Sequence, residues 1–335
     1  MTRSPPSVPT FRDRAVGAFL GLALGDQFGE PLEFLSGEVV HTTIVDVATC
    51  AWTDDTHMSL YLAEAISEVG DDFDADTFGH AVGRQFVRWL DDPLTPSTAP
   101  GHTCLAGARK YRQSGDWTTS GVPQSDGCGA VMRIVALSIR WSGAELTEAA
   151  RVSAVITHGH PNAAASAQAA AWLLRDVLED GQLSADRVCR VARRSALAGH
   201  PAVVAQALEA AVLLAGTHDR DLPLPERAIP DGDGGWRSPS CLGLAVLANL
   251  LGGPFDDIIE RAARIDGDSD SVAAVAGMFA GACTPRALPQ QWLVGLDERE
   301  RIETVASRLC GPRGDGPDGW HRMDDLLGLS SSTKA

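Results

Sequence analysis

Apolar residues recur along this 335-residue chain at helical spacing. In "FRDRAVGAFLGLALGDQF", residues 11–28, Ala15, Val16, Phe19, Leu20, Ala23 and Leu24 fall at steps that place them on one side of a helix. The same periodicity predicts helices over 56–69, 75–90, 143–156, 162–179, 185–198, 201–215, 240–251 and 255–264, and one more starting at Ser271. Alternation with a period of two is scarce. Its nearest instance, "EVVHTTIV" near 38–45, reads as a loop or a short extended piece. Pro and Gly gather at 93–101, 121–129, 221–235 and 311–318, between helices rather than between segments of different composition, and no internal repeat is visible. The pattern predicts an all-α chain with one domain over 11–312. The ends, 1–10 and 313–335, are rich in Pro, Gly, Ser and Asp and read as poorly ordered tails.

Composition narrows the function classes. A 44% hydrophobic content gives an ordinary globular core that needs no staples at this length. The net charge of −16 repels nucleic acid and anionic membrane surfaces. No apolar run is long enough to span a bilayer, and "MTRSPPSVPT" lacks the apolar centre of a signal peptide. The seven cysteines are odd in number, scattered and never in a CxxC pair, which argues against a disulfide framework and a thiolate zinc site. Free thiols of this kind suit a reducing cytoplasm.

Two acidic clusters remain to be explained. "WTDDTH" carries Thr53, Asp54 and Asp55; "DGDSDS" carries Asp268, Asp270 and Ser271. Each stands at the start of an apolar helix, where Thr, Ser and Asp commonly cap free N–H groups. One cap needs one residue, however, and adjacent carboxylates repel each other unless a cation lies among them. All six side chains offer oxygen, the ligand that Mg²⁺ and similar ions take. In extended backbone Asp268 and Asp270 would point the same way, with Gly267 allowing a tight turn before Ser271. Gly277 and Gly281, four apart in the following helix, would admit a close helix neighbour and bury the base of such a site.

Five motifs, in order, resemble those of the ADP-ribosylglycohydrolase family: "GAFLGLALGDQFGEPLEF" at 17–34, "WTDDT" at 52–56, "GCGAVMR" at 127–133, "THGHP" at 157–161 and "GDSDS" at 267–271. Together they cover roughly residues 11–285. The resemblance implies an orthogonal all-α bundle with a centre of two Mg²⁺ ions, Mn²⁺ being the alternative. Carried over by position, Thr53, Asp54, Asp55, Asp268, Asp270 and Ser271 would be its ligands. Glu33 matches the acidic residue near the reactive ribose and takes the acid/base role, with Asp55 second. Asp126, Gly127, Cys128 and Gly129 would follow the diphosphate with backbone N–H donors, and His158 would touch phosphate or ribose. Asp26 reads as a cap of the first helix.

This chain departs from the family pattern in three places. Ser stands for Thr at 269 and 271, Arg237 and Pro239 follow "GGW" where relatives often carry acids, and Cys128 stands where some relatives have Asn. The implied activity is metal-dependent cleavage of the C1″ glycosidic bond of ADP-ribose attached to a protein side chain or small acceptor. Alternatives are a non-catalytic ADP-ribose-binding or structural member of the same fold, or a metal-dependent phosphoesterase. The linkage cleaved, whether arginine, serine, O-acetyl or nucleic acid, is left open.

Overall fold

Thr10 starts the first helix by closing a capping box with Asp13. Its hydroxyl accepts from Asp13 N at 3.2 Å, and the Asp13 carboxylate accepts from Thr10 N at 2.8 Å. In the computed structural model, which describes residues 8–69 and 73–311, this helix runs from Phe11 to Gly29. Of the expected tails, 1–7 and 313–335 lie outside the described residues, as does the last residue of the expected domain, 312. Regular structure among the described residues is helical throughout, with no strand and only the isolated bridges Val122–His158 and Gly127–Arg237. No helix among them is long and apolar enough to cross a membrane.

The periodic segments form helices whose ends fall within two residues of the expected ones, as at Pro161–Asp180 and Phe255–Ala263. The 38–45 segment corrects the reading: Glu38–Thr42 is a short helix. The hydroxyls of Thr42 and Thr43 donate back to Glu38 O and Val39 O at 2.8 and 2.7 Å, which holds the turn that β-branched content argues against. His102–Ser114 is a helix that the reading passed over; its buried residues, Cys104, Gly107, Ala108 and Tyr111, fall at helical spacing, but Gly and Ala among charged neighbours give little apolar signal. Val135–Arg140 escaped prediction because it is too short to show a period and is buried along Val135–Ile139, Ser138 included.

The most extensive helix pair among the described residues is Phe11–Gly29 against Ser269–Cys283. Glycine allows it. A Cβ at Gly21 would lie 2.2 Å from Gly277 O, one at Gly25 2.1 Å from Ala273 O, and one at Gly17 2.4 Å from Gly281 O. Backbone therefore touches backbone along the crossing, at a distance no side chain permits. The contact continues to Gly29, where a Cβ would lie 2.4 Å from Asp270 Cα. The end of the first helix is thus fixed against the start of the Ser269–Cys283 helix, and Glu30–Leu32 then turns the chain so that Glu33 follows directly.

Candidate active site

The Asp54–Glu68 and Ser269–Cys283 helices begin beside the end of the first helix, so the positive ends of two helix dipoles face one group of carboxylates. Asp26, fully buried, accepts from Thr53 N and Thr56 N, both at 2.9 Å, and from Thr56 Oγ1 at 2.6 Å. It caps the Asp54–Glu68 helix, which corrects the expectation that it caps its own. Thr53 is that helix's N-cap, its hydroxyl accepting from Asp55 N at 3.4 Å. With Asp26 and Thr53 in these roles, capping leaves Asp54 and Asp55 unexplained.

The two clusters meet. Ser271 Oγ donates to Asp55 Oδ2 at 3.1 Å across 216 residues of sequence. Asp55 Oδ1 is buried and has no hydrogen-bond partner. Asp54 Oδ2 accepts from Gly101 N at 3.0 Å. Asp268 occupies the N-cap of its helix, yet its side chain makes no capping bond; it accepts instead from the Cys128 thiol at 2.7 Å. The helix begins at Ser269, so Asp270 already lies in its first turn. Asp268 and Asp270 converge through that turn and not through the extended alternation expected from sequence. Carboxylate oxygens of Asp26, Asp55 and Asp270 lie within 4.8 Å of one another, as do those of Glu33, Asp268 and Asp270. Asp270 belongs to both groups.

Burial, and then mutual repulsion, lifts these acids. Asp26 is pushed up to about 7, chiefly by burial and then by Asp270. Burial pushes Glu33 and Asp54 up to about 8, and Asp55 and Asp268 stand well above the usual carboxylate range for the same reason. Such a group ionises at neutral pH only with positive charge beside it. An oxygen-only donor set with one orphaned carboxylate oxygen fits a hard divalent cation.

The glycine loop forms another side of the site. A Cβ at Gly129 would lie 2.9 Å from His158 Cε1, and one at Gly127 3.1 Å from His158 Nε2, so both glycines admit the imidazole. Arg133, fully buried, donates to Gly129 O and, at 2.7 Å each, to Ser153 O and Thr157 Oγ1. The Thr157 hydroxyl in turn meets His158 Nδ1 at 2.8 Å. Burial first, and Arg133 second, lowers His158 to about 3, so the ring is neutral. With Nδ1 accepting from Thr157, the ring proton is assigned to Nε2, beside the loop. Of the loop's expected backbone donors, Cys128 N–H is already bonded to Trp236 O at 3.0 Å. Asp126 turns its carboxylate to Asn162 Nδ2 at 2.8 Å and is not among the residues lining the cleft.

That cleft has a volume of about 640 Å³ and brings together Glu33, Asp54, Asp55, Gly127, Cys128, Gly129, His158, Asp268, Asp270 and Ser271. Thr53 supports it from behind through Asp26 and Asp55. The sequence reading missed Phe34 and Trp236, whose rings stack at 5.5 Å in the cleft lining. Phe34 is 74% exposed with φ +64°, and Ala99, also in the lining, has φ +48°. Non-glycine residues held in this region are strained and cluster at functional sites. Phe34 and Arg133 end two of the quoted motifs, but their backbone angle and burial have no signature in sequence. Ala99 and Gly101 come from a Pro/Gly stretch read only as a connector.

A profile of the ADP-ribosylglycohydrolase family matches residues 7–318. The chain is 30% identical over 306 residues to an uncharacterized protein of Archaeoglobus fulgidus, covering 87% of this chain and 93% of that one. It is 28% identical over 323 residues to the ADP-ribosylarginine hydrolase Tri1 of Serratia proteamaculans, covering 89% and 79% of the two chains. Among solved structures, an ADP-ribosylglycohydrolase-related protein complex superposes with a TM-score of 0.71 at 27% identity, over 90% of this chain and 98% of that one.

Proposed function

Because the chain belongs to the ADP-ribosylglycohydrolase family, enzymes that hydrolyse glycosyl bonds of ADP-ribose conjugates, we propose that this cleft cleaves the C1″ bond of ADP-ribose carried on a protein side chain, with two Mg²⁺ ions held by Thr53, Asp54, Asp55, Asp268, Asp270 and Ser271. The observation that carries the reading is the junction of the two acid clusters at Ser271–Asp55, with Asp55 Oδ1 buried and unpartnered inside a cleft of small-molecule size. Divalent cations there would supply charge compensation for the acids and Lewis-acid polarisation of substrate oxygens.

The chain's own groups divide the remaining work. Glu33 is only half-buried and sits at the edge of the acid group, where its raised affinity for a proton suits it to protonate the departing acceptor atom. Once ionised, the same carboxylate can take a proton from the attacking water, as in other glycosyl transfers through an oxocarbenium-like centre. Asp55 is the second candidate, but Ser271 already occupies its Oδ2. His158, neutral, offers Nε2–H to a ribose or phosphate oxygen and cannot serve as an acid at neutral pH. Arg133 keeps Gly129 O turned inward and so shapes the glycine loop from below. Phe34 and Trp236 present aromatic faces next to an acidic interior, a combination that favours a cationic acceptor such as a guanidinium. The relative from Serratia proteamaculans, by its name, acts on ADP-ribosylarginine.

The test is incubation with protein ADP-ribosylated at arginine or at serine, in Mg²⁺ or in chelator. Free ADP-ribose released only with Mg²⁺, and faster from arginine, is expected. Release of inorganic phosphate would make the protein a phosphoesterase, and tight ADP-ribose binding without release would make it a binding member of the fold.

A further inference from the structure

A second cavity, of about 630 Å³, lies beside the cleft, and two short turns separate them. In the first turn Glu33 and Phe34 line the cleft and Gly37 lines the cavity; in the second, Asp268 lines the cleft and Asp266 the cavity. Gly37 N donates to Asp266 Oδ1 at 2.7 Å, so the turns are bonded to each other and form one partition. Gly234 packs on it, since a Cβ there would lie 2.2 Å from Asp266 O, and Trp236 brings the chain back to the cleft lining. The Phe34–Trp236 stack therefore stands on the cleft side of the partition. From Glu33 to Gly37 is four residue steps, which span at most about 14 Å even when fully extended. Inside the cavity, Glu226 and Asp266 are half-buried, and Glu226 Oε2 accepts from Asp266 N at 3.0 Å. Glu226 Oε1 and Asp266 Oδ2 have no hydrogen-bond partner among the described residues. Pro223 and Pro225 form part of the wall and bring no N–H to it. Arg227 and His41 are exposed in the lining and form no ion pair among the described residues. Two carboxylates against the guanidinium of Arg227 leave the lining negative with His41 neutral.

We propose that this cavity is an acceptor subsite, which takes a lysine or arginine of the acceptor polypeptide lying within about four positions of the ADP-ribosylated residue, with Glu226 and Asp266 receiving its cationic head. The proposal rests on the reading that the cleft cleaves ADP-ribose from a protein side chain. The chemistry of the lining fits such a guest. Long basic side chains lay an apolar stem on surfaces such as the proline rings and keep a donor-rich head for spare carboxylate oxygens. The polypeptide would cross the partition from the Phe34–Trp236 stack, where the modified residue enters, to the second cavity. The contact is remote from C1″ and equal in ground and transition states, so it lowers KM and leaves kcat as it is. The enzyme would thereby select modified residues that stand in basic segments.

The experiment measures kcat and KM of the full chain in Mg²⁺ on synthetic peptides that carry one ADP-ribosylated arginine and are otherwise uncharged. A single lysine is placed three positions away, on either side, or ten positions away, or is replaced by alanine. Free ADP-ribosylarginine is the reference without flanking chain. For wild type, a near lysine on one side should lower KM by roughly 10-fold relative to alanine, the low end for a hydrogen bond to a charged group. The distant lysine should behave as alanine, and kcat should be equal throughout. Glu226→Gln and Asp266→Asn keep the oxygens that accept from Asp266 N and Gly37 N and remove the charges. The double variant, checked for native circular dichroism, should lose the preference. A preference that survives in it, or a wild type that treats near lysine, distant lysine and alanine alike, overturns the proposal; the wild-type series decides this without any variant. If wild type cleaves free ADP-ribosylarginine and all peptides with one KM, the subsite alone has failed. If it cleaves none of these substrates, the reading of the cleft has failed and the subsite with it.

Discussion

Gly21→Ala tests whether the glycine crossing aligns the site. The new methyl carbon would lie 2.2 Å from Gly277 O and 2.9 Å from Gly277 C. Both atoms are backbone, so no side chain can swing away, and the two helices must part by about 1 Å to restore ordinary contact. Two effects oppose each other. Alanine is the better helix former by about 1 kcal/mol. Overpacking in a closed core costs about 1–3 kcal/mol, and the upper end applies where the obstacle is backbone. The net loss is therefore about 2 kcal/mol, which lowers Tm by roughly 3 °C in a chain of this size. Activity should suffer more than stability. Gly29 packs on Asp270 Cα, so the same displacement separates Glu33 from Asp268 and Asp270, and about 1 Å of misplacement can cost 10²-fold in rate. The assay is a thermal melt in chelator, followed by turnover at saturating Mg²⁺. A Gly21→Ala protein as stable as wild type, or more stable, would show that helix propensity wins and that the helices are not in backbone contact.

Three further outcomes are expected. Metal-free protein should lose stability as pH rises: Asp26, held at about 7, and Glu33 and Asp54, held at about 8, bind protons more tightly folded than unfolded, so their contribution is complete below the ordinary carboxylate range and gone above about pH 8. Mg²⁺ should reverse that loss, raising Tm more at pH 8 than at pH 6, by about 2.7 kcal/mol in stability at a hundredfold excess over Kd; equal shifts at both pH values would contradict cation binding among these acids. Asp268→Ala should abolish turnover while the fold survives, since it removes one charge from a repelling group; unchanged hydrolysis at limiting Mg²⁺ would count against a metal mechanism. Glu33→Gln should slow the chemical step by about 10²–10⁴-fold with ADP-ribose affinity kept, as single-turnover kinetics and calorimetry would show; weakened binding with a normal chemical step would make Glu33 a binding residue.

What the sequence revealed, and what it hid, follows from the range of the forces involved. The helices at 11–29 and 161–180 were legible because their burial pattern repeats within a few residues. His102–Ser114 was not, because Gly107 and Ala108, though at helical spacing with Cys104 and Tyr111, carry little apolar signal and gain their meaning from what packs on them. Residue type alone marked Asp54, Asp55, Asp268 and Asp270, since clustered carboxylates before apolar helices are costly without a purpose. It misassigned Asp26, whose chemistry is a cap donated to another helix 27 residues further on. It was silent on Phe34, whose exposed ring depends on a backbone angle.

The meeting of the two acid clusters was nevertheless foreshadowed. Gly17, Gly21, Gly25 and Gly29 recur every fourth residue in the first helix, and Gly277 and Gly281 do so in the last apolar one. A helix gains nothing from such glycines by itself, since each costs about 1 kcal/mol relative to alanine. Two helices that carry matching stripes offset that cost only by touching, and the touching pair fixes the register of what lies beyond its ends. Beyond Gly29 comes Glu33; just before Ala273 come Asp268, Asp270 and Ser271. The stripe therefore places the acid/base candidate against the second cluster before any metal is considered. Asp26, riding on the same helix, carries the Asp54–Glu68 helix start to the same point. The centre is assembled by glycine packing first and by carboxylate chemistry second.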